Sequence, residues 1–228
     1  MKHALRKDVP ADSCLREEDI RFFQEALRRL CGIDLPDSKA SLIESRLRRR
    51  LGILGLSDFS EYRRFLADAS EAEAEWQEVI NALTTHTTEW FREFDHFRQL
   101  REEVIPQWLS RKANRPLRVW SVACSTGEEP YSLGLLLNWF RDRSGLDYEI
   151  LASDVDTSVL EKARAGRYFA RDLDKIPEEF RTNALALGTG QADGYFKVRS
   201  HIRDRVQFEQ LNLAELPYVV SALRYSFL

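Results

Sequence analysis

The spacing of apolar residues changes along the chain, and the change predicts an all-α first part followed by an α/β part. Between Glu17 and about Leu83, apolar residues recur every three or four positions, which is typical of amphipathic helices. From Leu117 onward, short apolar runs alternate with helical patterns, which indicates a parallel sheet with covering helices. We therefore expect a small helical domain and a larger α/β domain.

The first part is predicted to form four short helices. The first has Ile20, Phe23 and Leu27 on one face and ends at Gly32, a residue suited to a helix C-terminus. The other three are expected from about Asp37 to Gly55, from Asp58 to Ala67, and from a capping-box pattern at Ser70 and Glu73 to Leu83.

The second part is organised around a β-α-β unit. A buried strand is predicted from Leu117 to Ala123, and a small-residue turn leads into a helix that covers Tyr131–Arg141. The second strand, Tyr148–Ser153, ends on an acid, Asp154. Open α/β sheets bind the ribose of a nucleoside with an acid at this edge, so we expect a nucleoside ligand here.

The turn after the first strand does not have the composition of a phosphate site. It contains one glycine, Gly127, followed by Glu128 and Glu129, whereas a dinucleotide site has the pattern G-x-G-x-x-G. Two negative charges at a helix start repel phosphate and favour a ligand with an ammonium or sulfonium cation. S-adenosylmethionine has these features. Alternatively, the two glutamates only complement the helix dipole.

Composition limits the classes of partner. The chain has 228 residues and a net charge of −3, so no overall basic character indicates nucleic acid. Its three cysteines lack metal-ligand spacing, which favours a reduced cytoplasmic setting and no metal site. No apolar run is long enough for membrane insertion.

The second predicted helix carries four arginines in five residues. Arg46, Arg49 and Arg50 share a flank beside the apolar stripe, and Arg48 projects elsewhere. The cluster is either a docking surface for an acidic partner or an ordinary solvated face whose aliphatic stems cover apolar surface.

Between the helical part and the first strand lies a polar segment with four threonines and a histidine, His86, followed by Arg92. Its hydroxyls and imidazole could bond a ligand, and Arg92 could hold a carboxylate. The alternative is a capped linker with a structural histidine. A helix is expected from Phe94 to about Ile105, disturbed by Pro106.

After Asp156 we expect a helix and then a β-hairpin. Residues 195–199 and 205–209 alternate between apolar and polar, with residues 200–204 as the turn. From the residues alone, the hairpin could simply cover the sheet.

Three separate motifs carry a resemblance to the CheR-type chemotaxis receptor methyltransferases. They are Leu83–Glu93, Ser125–Ser132 and Ala152–Thr157, the last followed by related residues at 160–164 and 166–168. The resemblance implies an S-adenosylmethionine-dependent O-methyltransferase that esterifies glutamate side chains of bacterial chemoreceptors and releases S-adenosylhomocysteine. It also implies a helical docking domain (17–83), a linker and helix (84–115), and a Rossmann-like methyltransferase domain (116–228) with a β insertion at about 188–210.

The family's functional residues carry over to this chain by position. Asp154 would bind the ribose hydroxyls, and Arg92 is the one catalytic candidate, in a positional role. His86 stands where an asparagine is more familiar. The cofactor contacts implied are His86, Thr88, Arg92, Glu129, Asp154, Asn212 and Leu213, the last two near the adenine. The arginines implied to meet the receptor helices are Arg46, Arg49 and Arg50. The β insertion resembles one that adds a receptor C-terminal peptide as an edge strand.

The resemblance runs from about Glu17 to Leu213, and Ala214–Leu228 matches no family pattern that we recognise. We therefore expect a truncated chain with an incomplete sheet, in which a third strand near residues 206–211 has one uncovered edge. The alternative function is a catalytically inactive remnant that only binds receptor.

Overall fold

The computed structural model describes residues 14–68, 72–111 and 115–215. They divide into two compact units, one with the described residues up to Thr85 together with Asn212–Glu215, and the other with the described residues of His86–Leu211. Ser70, which belongs to the predicted capping box, and residues 216–228 of the tail lie outside the described residues.

The first unit is helical, as expected. Its helices are α1 (Glu17–Cys31), α2 (Ala40–Leu54), α3 (Phe59–Ala67) and α4 (Ala72–Leu83). Gly32 and Gly55 end α1 and α2 with φ values of 70° and 70°, a conformation that glycine adopts without steric cost. The Asp58 carboxylate caps α3 by accepting the Glu61 N–H at 2.8 Å. The predicted helix positions are thus confirmed.

The second unit begins with one helical rod that changes its winding. α5 (Phe94–Gln99) continues through a π-helical turn (Leu100–Val104) into α6 (Ile105–Ser110). The wider turn ends two residues before Pro106, whose ring would collide with the carbonyl four residues earlier in a regular α-helix. The helix therefore passes the proline instead of ending there.

The main sheet is parallel. Among the described residues, its strands β1 (Leu117–Val122), β2 (Tyr148–Asp154) and a last strand (Val206–Gln210) lie in the order β1, β2, last strand. The helices α7 (Glu128–Ser144) and α8 (Thr157–Ala165) follow β1 and β2. The predicted β-α-β unit is confirmed, and so is the fold class of an all-α region followed by a Rossmann-like α/β region.

A separate small sheet is antiparallel. Its strands are β3 (Arg167–Phe169), β4 (Leu185–Leu187) and β5 (Tyr195–Val198), in the order β3-β5-β4. The short helices α9 (Glu178–Arg181) and α10 (Ser200–Arg203) lie next to it in the sequence, and the last strand of the main sheet is β6 (Val206–Gln210).

The predicted hairpin is wrong. β5 pairs with β3 and β4, β6 pairs in parallel with Ile150–Asp154 of β2, and the expected turn is the helix α10. The error arises because an edge strand of a parallel sheet can show the same alternation of apolar and polar residues as a hairpin strand. The small sheet therefore spans residues 167–198, not about 188–210.

No helix in the described part of the chain has the length and apolar character needed to cross a membrane.

Candidate functional site

The turn between β1 and α7 is strained and is tied to the tip of β2. Ala123 and Ser125 have φ values of 53° and 50°, which are unfavourable for residues with a Cβ. The Cys124 N–H donates to the Ser153 carbonyl at 2.9 Å, and the Ser125 N–H donates to the Asp154 carboxylate at 2.8 Å. The turn is thereby held against the carboxyl end of the second strand.

Asp154 is buried, and backbone amides orient its carboxylate. Oδ2 accepts the Ser125 N–H, and Oδ1 accepts the Asp156 N–H at 3.0 Å. The residue is 8% exposed. Each carboxylate oxygen has a second lone pair, so the group can still accept bonds from two further donors such as the hydroxyls of a diol.

The two glutamates at the start of α7 are bonded to the turn and to the strand. Glu128 accepts the Thr126 hydroxyl at 2.6 Å, and burial raises the pKa of Glu128 above its ordinary value. Glu129 accepts the Ser121 hydroxyl at 2.5 Å. Each carboxylate is thus held by a specific hydrogen bond, in addition to any favourable interaction with the helix dipole.

A cavity of about 340 Å³ brings Arg92 and Glu129 together. The Arg92 guanidinium also donates to the Thr87 carbonyl at 2.8 Å. The remaining lining residues supply a largely apolar wall with a polar rim: Glu93, His96, Phe97, Gln99, Leu100, Val104, Val119 and Leu133. A cation and a carboxylate that face one cavity can pair with the carboxylate and the ammonium group of an amino acid.

The loop that carries Arg92 is also strained. Phe91 and Glu93 have φ values of 51° and 54°. The Phe91 N–H donates to the Ser132 hydroxyl at 3.0 Å, and this hydroxyl donates to the Glu128 carbonyl at 2.7 Å. Strained backbone of this kind is often found at functional sites, because the surrounding contacts have to hold it.

His86 is bonded to a protein carboxylate. Its Nε2 lies 2.7 Å from Oδ2 of Asp156, which is fully buried and caps α8 by accepting the Ser158 N–H at 2.7 Å. This contact agrees with the structural alternative for His86, and a direct cofactor contact stays a prediction. Thr88 is half-buried in the same segment.

Asn212 and Leu213 belong to the first unit. The Asn212 amide donates to the Leu30 carbonyl and to the Glu215 carboxylate. In the second unit, the Leu211 N–H donates to the Asp154 carbonyl at 3.0 Å. The adenine contacts of Asn212 and Leu213 stay a prediction.

Two of the three predicted docking arginines are turned inward. Arg46 donates to the Thr84 carbonyl at 2.6 Å, and Arg50 donates to both oxygens of Glu75, at 2.9 and 2.5 Å. The flank beside the apolar stripe faces α4, and its carbonyls and carboxylates bind these guanidinium groups. Arg46 and Arg50 are half-buried and Arg49 is exposed, and the docking role of the three arginines stays a prediction.

The sequence analysis assigned no role to two side chains around the turn. Asp156 had a detectable signal, because an acid directly before a helical pattern is a typical N-cap. Ser125 begins the Ser125–Ser132 motif, but no role was predicted for it; its hydroxyl is buried and has no hydrogen-bond partner in the described part of the chain.

These features fit S-adenosylmethionine. The buried, unsatisfied Ser125 hydroxyl next to an oriented Asp154 carboxylate is suited to a ligand with hydroxyl groups. The acidic start of α7 is suited to a sulfonium or ammonium cation rather than a phosphate.

Comparison with known proteins gives the family. Residues 86–222 match the model described as "CheR methyltransferase, SAM binding domain", and residues 18–84 match "CheR methyltransferase, all-alpha domain". Because the first match extends to residue 222, the expectation that the chain loses its resemblance after Leu213 is wrong for residues 214–222.

Curated relatives are similar over most of the chain. The chemotaxis protein methyltransferase 2 of Pseudomonas aeruginosa is 41% identical over 204 residues, which are 90% of this chain and 71% of the relative. The chemotaxis protein methyltransferase of Salmonella typhimurium is 40% identical, over 85% of this chain and 67% of the relative. The Escherichia coli protein of that name is 37% identical, over 90% and 70%. The chain therefore belongs to the CheR family of S-adenosylmethionine-dependent chemotaxis protein methyltransferases.

Proposed function

We propose that this protein methylates glutamate side-chain carboxylates of bacterial chemoreceptors and so gives methyl esters. The observation that carries the proposal is the cavity shared by Arg92 and Glu129, next to a turn that is anchored on Asp154. This arrangement offers complementary charges to an amino-acid group and an oriented carboxylate to a diol, and S-adenosylmethionine carries both groups.

Each polar residue of this site has a role in the proposal. Asp154 would accept the ribose hydroxyls, Arg92 would pair with the carboxylate of the amino-acid end, and Glu129 would pair with its ammonium group. Thr88 and His86, in the linker, would also contact the cofactor. Asn212 and Leu213 would contact its adenine. We propose no metal, because the chemistry requires none.

The reaction demands alignment more than acid–base catalysis. When bound, the cofactor supplies a methyl group on a positively charged sulfur. A glutamate carboxylate is ionised at neutral pH and is itself the nucleophile, so no general base is needed. Arg92 would therefore act by orientation, and the apolar wall of the cavity would exclude water from the reacting groups.

Receptor docking is proposed for α2 and the small sheet. Arg49 is exposed and would meet an acidic helical surface of the receptor. In the small sheet, β4 is an edge strand, and Leu187 on it is 68% exposed. A receptor C-terminal peptide would pair with this edge by strand addition.

The second candidate function is a protein that binds receptor without catalysis. The exposed Arg49 and the position of β4 at the edge of the small sheet, as far as the described residues show it, favour this function, since neither feature depends on a cofactor.

Two measurements on the same chain separate the candidates. Calorimetry with S-adenosylhomocysteine tests the cofactor site, and a pull-down with a chemoreceptor cytoplasmic fragment tests docking. We expect Asp154→Ala to weaken cofactor binding roughly 10- to 100-fold, the effect of losing hydrogen bonds to a charged group. Arg49→Ala should leave cofactor affinity unchanged and weaken receptor capture.

The outcomes are distinct. Receptor capture without cofactor affinity would select the binding-only function. Equal effects of Asp154→Ala and Arg49→Ala on cofactor affinity would refute the assignment of separate roles. Methyl transfer to the receptor fragment would establish the enzyme.

A further inference from the structure

Tyr168 joins the small sheet to the turn that carries the candidate site. It lies on β3, and its hydroxyl donates to the Thr126 carbonyl at 2.8 Å. The residue is 8% exposed. Burial raises the pKa of Tyr168 well above its usual value, so the hydroxyl keeps its proton and remains a donor.

The conformation of the turn that accepts this bond depends on its surrounding contacts. Strain at Ala123 and Ser125 persists only while surrounding contacts impose it. The Thr126 carbonyl immediately follows Ser125, whose N–H reaches Asp154. A turn that relaxes would move this N–H away from the carboxylate.

The tyrosine approaches the turn so closely that glycine is required there. A Cβ on Gly127 would lie 2.7 Å from the Tyr168 hydroxyl oxygen. Gly127 also has a φ of 96°, so both its conformation and its surroundings exclude a larger residue.

The ring of Tyr168 supports the other wall of the site. Its edge-to-face contact with Trp90 has a centroid distance of 4.8 Å and an interplanar angle of 80°. Trp90 stands two residues before Arg92, in the strained loop that lines the cavity. One side chain therefore contacts both the turn next to Asp154 and the loop that carries Arg92.

We propose that Tyr168 is a positioning residue for the methyl donor: its hydroxyl fixes the turn after β1, and its ring fixes the loop that carries Arg92. This inference rests on the proposed cofactor site. It assigns to the small sheet a role in shaping that site, in addition to any partner it binds.

The test compares two tyrosine-to-phenylalanine variants in the full chain. Tyr168→Phe removes the hydroxyl and keeps the ring. Tyr148→Phe is the matched control, because that fully buried hydroxyl also donates to a backbone carbonyl, Gly134, at 3.3 Å. Tyr148 begins β2, at the opposite end of the strand from Asp154.

Three readouts are taken well below the melting temperature. Calorimetry with S-adenosylhomocysteine should show a roughly five- to tenfold weaker affinity for Tyr168→Phe, which corresponds to one lost hydrogen bond, and no change for Tyr148→Phe. Hydrogen exchange of the ligand-free chain should be faster at the Gly127 amide in Tyr168→Phe alone. In methyl-transfer assays, KM for the methyl donor should rise while KM for the receptor stays constant.

Each result decides the inference. If the unmodified chain binds the ligand and both variants bind it equally well, or lose affinity equally, the positioning role is refuted while the proposed function stands. If the unmodified chain has no affinity, the proposed function fails and the inference fails with it. Faster exchange at Gly127 together with selective loss of affinity supports it.

Discussion

Removing Arg50 should destabilise the helical unit without a direct effect on docking. The guanidinium group binds Glu75, which also accepts the Tyr62 hydroxyl at 2.6 Å. The Glu75 side chain is 7% exposed, and the Arg50 side chain is 16% exposed. Without Arg50, the buried Glu75 carboxylate keeps its hydrogen bond from the neutral Tyr62 hydroxyl but loses the positive charge that pairs with it. Arg50→Met makes this change and retains most of the aliphatic stem.

The magnitude follows from burial. Breaking a fully buried ion pair by removing one partner costs about 3–5 kcal/mol. The second partner, Glu78, is 47% exposed, so its pairing adds less than about 1 kcal/mol. Because Arg50 retains some exposure, we expect the lower end, about 3 kcal/mol in the free energy of unfolding, or roughly a 100-fold change in the unfolding equilibrium.

Urea titration followed by far-ultraviolet circular dichroism measures the effect, since the midpoint and slope give the free energy. The matched control is Arg49→Met, one position earlier and exposed, for which we expect a change within about 0.5 kcal/mol. The double variant Arg50→Met/Glu75→Gln should recover part of the loss, because it no longer buries an unpaired charge. Identical midpoints for Arg50→Met and Arg49→Met would refute the reasoning.

Two further predictions concern the turn. The pKa of Glu128 is raised in the folded state, so its native form holds a proton more tightly than its unfolded form, and stability falls as pH rises through and above glutamate's ordinary range. Glu128→Gln should therefore raise the melting temperature at neutral pH and flatten its pH dependence; melts at pH 5 and pH 8 that match the unmodified chain would contradict this. Gly127→Ala should lower the melting temperature more than Gly55→Ala, because an added Cβ lies 2.7 Å from an oxygen at Gly127 and meets nothing within 4 Å at Gly55, while both positions have positive φ. Equal melting temperatures would show that the close contacts cost nothing.

The sequence predicted the parts of the fold that depend on local pattern. The helices of the first unit follow from periodicity, and two of them end at Gly32 and Gly55. The β-α-β unit follows from two apolar strands on either side of a helical pattern. These features need no knowledge of which elements meet. The pairing of β5 and β6 could not be predicted in this way, since the alternation of residues in a short strand does not identify the neighbouring strand.

The candidate site was predicted unevenly for the same reason. Asp154 and Glu129 stand at positions that a β-α-β unit places by itself. The ion pair of Arg50 was not predicted, because the carboxylate that binds it comes from another helix, 25 residues later. Tyr168 lies within the family-related residues 166–168, but no role was predicted for it, because its bond to Thr126 joins residues 42 positions apart.

The two ends of the small sheet lie side by side: the Val198 N–H donates to the Gly166 carbonyl at 2.9 Å. A segment whose entry and exit adjoin can be exchanged as a cassette without lengthening the host chain, as in domain insertion. Segments from other family members could thus be grafted between Gly166 and Arg199 to test whether the small sheet binds the proposed receptor peptide. Under the role proposed for Tyr168, such a graft would have to keep a tyrosine two residues after Gly166. Without its hydroxyl, the turn after β1 would lose one of the contacts that hold it.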